Sequence, residues 1–273
     1  MTVYAPWTPE DAADFIAVPV PGDDKYTRGV LGVITGSAQY PGAAVLGVEA
    51  ALHTGVGMVR YVGPKSVARY VLQRRPEAVA SEGRVQAWLI GSGTDQASRS
   101  KAASRRMSRA NAQGLPTILD GGALDLHDAT TGPVVITPHY RELARVIGGT
   151  PEDIADDPAS AAARAADTLG VTVLLKGHTS YIAAPDGIRL ATSTAPSWLA
   201  TAGAGDALGG ILGALVATHS EQIAADTTQL AYLAASACAL HGLAAERASA
   251  GGPFTILDLV GAVPQTIAHL LTR

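Results

Sequence analysis

From Gly29 onward, short apolar runs recur along the chain, most of them separated by stretches of helical character. Val30-Leu31-Gly32-Val33-Ile34 is the first, and residues 58–62, 88–90, 117–119, 134–136 and 171–175 repeat the pattern. A brief continuous apolar run bounded by turns reads as a strand buried on both faces, and strands alternating with helices predict a mostly parallel sheet covered on both sides. The turn Tyr40-Pro41-Gly42 leads into an alanine-rich helix over 43–53. Ahead of all this, Thr8-Pro9-Glu10-Asp11 has a cap residue, a proline at the first helical position and acids in the first turn, so a short helix should start there and stop at Pro19 and Pro21. Ala184-Pro185-Asp186-Gly187, set between Tyr181-Ile182 and Ile188-Arg189-Leu190, predicts a β-hairpin at the sheet edge. Two long helices follow, from 205 to about 218 and from about 222 to 246. The fold class is therefore α/β: a three-layer sandwich with a hairpin near the C-terminal part of the sheet.

Composition narrows the picture. The 273 residues carry 47% hydrophobic side chains, enough apolar surface for a chain that folds unaided, and no spacer divides it, so one domain over 1–273 is expected. Net charge is −4 and the basic residues are scattered. That distribution argues against nucleic acid or an anionic membrane as partner and favours a small molecule. The single cysteine, Cys238, lies in an alanine-rich segment and reads as a buried small hydrophobe. The weakly polar stretch 230–245 is too short and too alanine-rich for a membrane span and contains His241, so a buried helix is expected. No basic segment leads into an apolar run at the N-terminus, and cytoplasmic residence is the default expectation.

The strongest chemical signal is Thr201-Ala202-Gly203-Ala204-Gly205-Asp206, a glycine-rich loop opening into an apolar helix. The first N–H groups of a helix lack internal partners and sit at the positive end of its dipole. Gly203, Ala204 and Gly205 would thus form an anion hole for a phosphoryl group, and Asp206 could take the proton of a substrate hydroxyl. The structural alternative is that Asp206 only caps the helix. Lys176-Gly177-His178 follows the apolar run ending at Leu175, where ligands bind in open α/β sheets, or else is a solvent-exposed turn. Thr137-Pro138-His139 follows another run, with His139 and Glu142 about one turn apart. This pair could orient substrate, and Glu142 could support a magnesium ion through its water shell. Neither a dinucleotide fingerprint, a Walker loop, His-Glu-x-x-His nor Gly-x-Ser-x-Gly is present.

In their order along the chain, these motifs resemble the ribokinase-like superfamily and, within it, the ADP- or ATP-dependent NAD(P)H-hydrate dehydratases, from Lys25 to the last helix. Residues 35–44, Thr-Gly-Ser-Ala-Gln-Tyr-Pro-Gly-Ala-Ala, look like the family's Gly-Ser-x-x-Tyr-Pro-Gly-Ala-Ala signature, which the superfamily's sugar kinases do not usually share. Gly55-Val56-Gly57-Met58-Val59, Gly91-Ser92-Gly93, Thr137-Pro138-His139 with Glu142, and residues 198–206 match four further motifs in order. The resemblance implies that Ala43, Gly93, His139 and Asp206 contact the hydrated nicotinamide nucleotide. It also implies that Lys176, Gly177, His178, Thr179, Ser180 and Gly205 hold the adenine nucleotide. Two positions depart from the pattern: Gly122 stands where the family has the second acid of Asp-Ala-Asp-Ala-Leu, and Ser180 where threonine is common.

What the resemblance implies is metabolite repair. ADP or ATP, with Mg2+, phosphorylates the hydroxyl of (S)-hydrated NADH or NADPH (NADHX, NADPHX), and loss of phosphate regenerates the reduced cofactor. A separate NAD(P)H-hydrate epimerase is the implied companion, and a homo-oligomer the expected assembly. Two alternatives stay open: a hydroxymethylpyrimidine- or hydroxyethylthiazole-type kinase of the same superfamily, and a non-catalytic nucleotide sensor with this fold.

Overall fold

The computed structural model describes residues 2–272, with Met1 and Arg273 outside the described residues. One sheet holds the strands β1 (Ala5–Pro6), β2 (Val30–Ile34), β3 (Met58–Tyr61), β4 (Ala87–Ile90), β5 (Thr117–Leu119), β6 (Val134–Ile136), β7 (Thr172–Leu175), β8 (Ser180–Ala183) and β9 (Arg189–Thr192). Their spatial order is β1-β9-β8-β7-β6-β5-β4-β2-β3. Only β7–β8 and β8–β9 are antiparallel, so the sheet is mostly parallel with the expected hairpin.

The helices are α1 (Pro9–Ala13), α2 (Pro41–Thr54), α3 (Lys65–Arg74), α4 (Lys101–Asn111), α5 (Tyr140–Ile147), α6 (Pro151–Asp156), α7 (Pro158–Leu169), α8 (Ala204–Thr218), α9 (Ser220–Ala225), α10 (Gln229–Ser249) and α11 (Ile256–Leu271). Successive strand side chains point to opposite faces. Leu31, Leu89, Ile118 and Leu174 accordingly join the core built with α2, α8, α10 and α11. Their neighbours Val30, Ile90, Leu119 and Val173 join a second core with Met107 of α4, Leu143 of α5 and Ala162 of α7. Both faces being covered, the strands can be apolar throughout.

Three expectations need correction. The hairpin is not the sheet edge, because Ala5 and Pro6 pair in parallel with Leu190 and Ala191 of β9. Thr8 caps α1 through a reciprocal bond with Asp11, but the helix ends at Ala13, ahead of Pro19, so the prolines do not stop it. The long helix from about 222 to 246 is two helices, α9 and α10, parted where the Asp226 carboxylate accepts from the Thr228 N–H and hydroxyl and draws the backbone into a turn. The segment 230–245 is inside α10 and largely buried, as expected. Among the described residues no helix is long and apolar enough to cross a membrane.

After β2 the chain moves outward to β3, then returns to the other side of β2 as β4. This reversal leaves a crevice at the carboxyl ends of β2 and β4, the position at which open α/β sheets bind ligands.

Candidate active site

Two cavities open at the carboxyl ends of the strands and meet at His139, Lys176, Ala202 and Gly205. The first, about 740 Å³, lies over the β2–β4 crevice and brings together Ala43, Gly93, His139 and Asp206, along with Tyr40, Asp120 and Glu142. The second, about 510 Å³, lies beside the hairpin and takes in Lys176, Gly177, His178, Ser180 and Gly205. Thr179 is not part of its lining. Both volumes fall in the range of small-molecule sites.

Asp206 is not a helix cap. The N-cap of α8 is Gly203, whose φ of 93° is left-handed, and Asp206 is two residues inside the helix. A side chain on Gly203 would place its Cβ 2.6 Å from Leu46 Cδ1, so glycine is required there on both counts. Among the described residues the Asp206 side chain has no hydrogen-bond partner, and burial, reinforced by the Asp120 carboxylate and opposed by the Lys176 ammonium, pushes its carboxyl up to about 6. An unpartnered, mostly ionised carboxylate with raised basicity, facing a cavity at a helix N-terminus, is suited to accept a proton there.

Lys176 is held rather than solvated. Its N–H donates to the Pro138 carbonyl at 2.9 Å, and His139 and Lys176 form a parallel bridge in the β6–β7 register, three residues beyond the last ladder pair. Its Nζ donates to Asp120 Oδ1 at 2.7 Å and lies 3.9 Å from Glu142 Oε2. Asp120 also accepts from the Ser92 and Thr137 hydroxyls, at 2.9 and 2.7 Å. Burial alone would push the Asp120 carboxyl up, but the Lys176 ammonium and these hydrogen bonds hold it below the usual carboxylate range. Burial likewise opposes the Lys176 charge, and the carboxylates of Asp120, Glu142 and Asp206 raise it above the ordinary lysine value. The solvent-exposed alternative for Lys176 is thus corrected: its ammonium is fixed at the junction of the cavities.

His139 and Glu142 first serve α5. The His139 side chain accepts from the Glu142 N–H, and Glu142 Oε2 accepts from the His139 N–H at 2.8 Å, a reciprocal cap. Both side chains still line the larger cavity. Among the described residues no cluster of three or more carboxylate, histidine or cysteine side chains is placed to hold a metal. The position of the missing family acid has a packing reason: a Cβ on Gly122 would come 2.4 Å from the Thr94 carbonyl oxygen, and the Gly122 carbonyl accepts from the Arg99 guanidinium.

Sequence reasoning noted Asp120 only as part of a departing motif and missed it as the anchor of Lys176. Its place directly after β5 was the available signal, the same one that selects His139 after β6 and Lys176 after β7. Its partners Ser92, Thr137 and Lys176 are distant along the chain, and no local pattern reveals them. Cys238, buried as expected, lines the smaller cavity, where burial pushes its thiol up to about 12.

The chain's residues 31–258 match the family model described as NAD(P)H-hydrate dehydratase. Over 222 residues the chain is 43% identical to a bifunctional NAD(P)H-hydrate repair enzyme of Mycobacterium tuberculosis, a match covering 76% of this chain and 45% of that one. Over 213 residues it is 33% identical to an ADP-dependent (S)-NAD(P)H-hydrate dehydratase of Neisseria meningitidis, covering 71% of each. The chain spans about half the length of the bifunctional relatives it matches. The crystal structure of an ADP/ATP-dependent NAD(P)H-hydrate dehydratase from Bacillus subtilis, co-crystallised with ATP and Mg2+, superposes with a TM-score of 0.85 at 24% identity, covering 99% of this chain and 100% of that one. That likeness shows the fold.

Proposed function

This chain belongs to the NAD(P)H-hydrate dehydratase family, and from that premise and its two joined cavities we propose that it uses an adenine nucleotide to dehydrate (S)-hydrated NADH or NADPH. The observation that carries the reading is Asp206, an unpartnered carboxyl raised to about 6 at the start of α8, in the cavity beside Lys176. The hydrate occupies the larger cavity, contacted by Ala43, Gly93, His139 and Asp206. The nucleotide lies along the smaller one, with its phosphates toward Lys176, the 177–180 turn and the Gly203-Ala204-Gly205 N–H groups.

In this reading Asp206 takes the proton of the ring hydroxyl while its oxygen attacks the terminal phosphorus of ADP or ATP. The bond from that phosphorus to the leaving AMP or ADP breaks. The lone pair of the ring nitrogen then expels phosphate, and loss of a proton from the adjacent ring carbon restores the dihydronicotinamide. The protein's tasks are alignment and charge: Lys176 and the α8 N-terminus offset the transferring phosphoryl group's charge, and Asp206 removes a proton.

The residues fit a magnesium ion that arrives with the nucleotide, not one caged by the protein. Asp120 is committed to Lys176 and Glu142 to the α5 cap, which leaves Glu142 as a water-mediated neighbour at the phosphate end. The ion would supply charge neutralisation on the phosphates.

The test is to incubate hydrated NADH with the protein, magnesium and ADP or ATP, and to follow the return of dihydronicotinamide absorbance. Nucleotide-dependent return supports the proposal. Accumulation of a stable phosphate ester would support a vitamin-precursor kinase instead, and nucleotide binding without turnover a sensor.

A further inference from the structure

One wall of the larger cavity is built by two segments that follow neighbouring strands: residues 91–100, between β4 and α4, and the 3₁₀ helix Gly121–Ala129 after β5. Gly93 and Thr94 of the first and Gly121 of the second line that cavity. Gln96 of the first and Leu124, Asp125 and His127 of the second line a further cavity of about 270 Å³, which shares Gly121 and Glu142 with the larger one. The seam between the two segments therefore shapes both spaces.

Among the described residues, hydrogen bonds join these segments at two places. Next to the strand ends the Ser92 hydroxyl donates to the Asp120 carboxylate at 2.9 Å. Farther along, the Arg99 guanidinium donates to both the Gly122 carbonyl and the Asp125 carboxylate. A side chain at 122 would collide with the Thr94 carbonyl, so none can bridge the seam from that position. Arg99 bridges it instead.

The Arg99 side chain is only 9% exposed. Taking a guanidinium out of water costs about as much as a buried ion pair returns, so such a pair adds little net stability. Its planar fork adds one fixed geometry, since two acceptors are met at once. Arg99 lines neither cavity, and no step of the proposed reaction uses it. What it fixes is the helix that begins directly after Asp120, the anchor of Lys176. Without the clamp that helix is held at its start alone, and Gly121 with its wall is free to shift.

We propose that Arg99 is a positioning residue for the acceptor: by clamping the Gly121–Ala129 helix to the 91–100 segment it sets the width of the larger cavity at Gly93 and Gly121, and through it the affinity for the hydrate. The inference rests on the reading of the larger cavity as the hydrate site. It is tested with Arg99→Met, which nearly keeps the side-chain volume, and with Asp125→Asn, both assayed beside the wild type with hydrated NADH, ADP and magnesium and followed by thermal unfolding with and without ADP.

In each variant the KM for hydrate should rise about three- to tenfold, the cost of ordering one loop contact on binding, while kcat and the ADP midpoint stay within about twofold of the wild type. Arg99→Lys, able to reach one of the two acceptors, should fall between Arg99→Met and the wild type. Combining Arg99→Met with Asp125→Asn should raise the KM no further than Arg99→Met alone, because both changes break one pair. A purely structural role would lower the unfolding temperature and leave the KM for hydrate unchanged. That result in folded Arg99→Met, or in Asp125→Asn where Arg99→Met does not fold, overturns the inference, as does an equal loss of ADP affinity or of kcat. If the wild type returns no NADH from the hydrate, the reading of the cavity falls and this inference falls with it.

Discussion

Asp206 faces opposing demands, since the burial that makes it a better base also makes its charge costly to the fold. As a base it works only when ionised, so with a carboxyl near 6 the kcat/KM for hydrate should fall about tenfold per pH unit below that value. A profile flat to pH 5 would contradict the assignment. Its pKa is raised on folding, so the associated stability is fully present below the unfolded value near 4 and is lost as pH rises through about 6. Asp206→Asn should therefore stabilise the free protein by about 3 kcal/mol at pH 8 and by almost nothing at pH 4, which thermal unfolding at the two pH values would show. Asp120 supplies part of the upward push. Asp120→Asn should move the acid limb to lower pH, and, by leaving the Lys176 ammonium without its carboxylate, destabilise the protein by about 3 kcal/mol in denaturant unfolding. The sequence proposed Asp206 as base but could not dismiss it as a cap, because a cap and an interior first-turn residue differ only in backbone conformation. The Lys176–Asp120 pair was not legible at all, being made by two strand ends far apart in the chain.

At the scale of elements, the site depends on how closely α8 approaches α2. A Cβ on Gly210 would come 2.2 Å from the Gly47 carbonyl oxygen and 2.8 Å from Ala50 Cβ. Helix propensity favours alanine over glycine by about 1 kcal/mol. The contact is with backbone and cannot rotate away, so overpacking should outweigh propensity and Gly210→Ala should cost about 1–3 kcal/mol net. Denaturant unfolding measures this, and a stabilised variant would show that the helices can part freely. The apolar runs that became β2 to β7 were legible because strands buried on both faces must be continuously apolar, and residues 181–190 announced their hairpin through turn chemistry. Residues 5 and 6 gave no strand signal, because two residues carry no periodicity and β1 exists only by pairing with β9. The break between α9 and α10 was missed since Asp226 and Thr228 act by a local hydrogen bond inside a stretch of otherwise helical composition.

For the whole molecule, the ends of β2, β4, β5, β6 and β7 converge with the N-terminus of α8 so that two cavities share His139, Lys176, Ala202 and Gly205. In the proposed reaction, this meeting would place the two ligands side by side at Lys176 and Gly205. The sheet pattern announced such a crevice, and the motif order announced the family. The two groups of residues that the family resemblance assigns to hydrate and to nucleotide fall largely on two separate cavities, a separation that no local pattern shows because it depends on how loops from both ends of the sequence meet. The central claim is that Asp206 is the base at this junction, and its most direct test is Asp206→Asn assayed beside the wild type for recovery of NADH from its hydrate and for thermal stabilisation by ADP. Asparagine nearly keeps the size and removes the base, so turnover should fall by about 10²–10⁴-fold while ADP still stabilises the variant. Near-normal turnover by a folded Asp206→Asn protein would contradict the account.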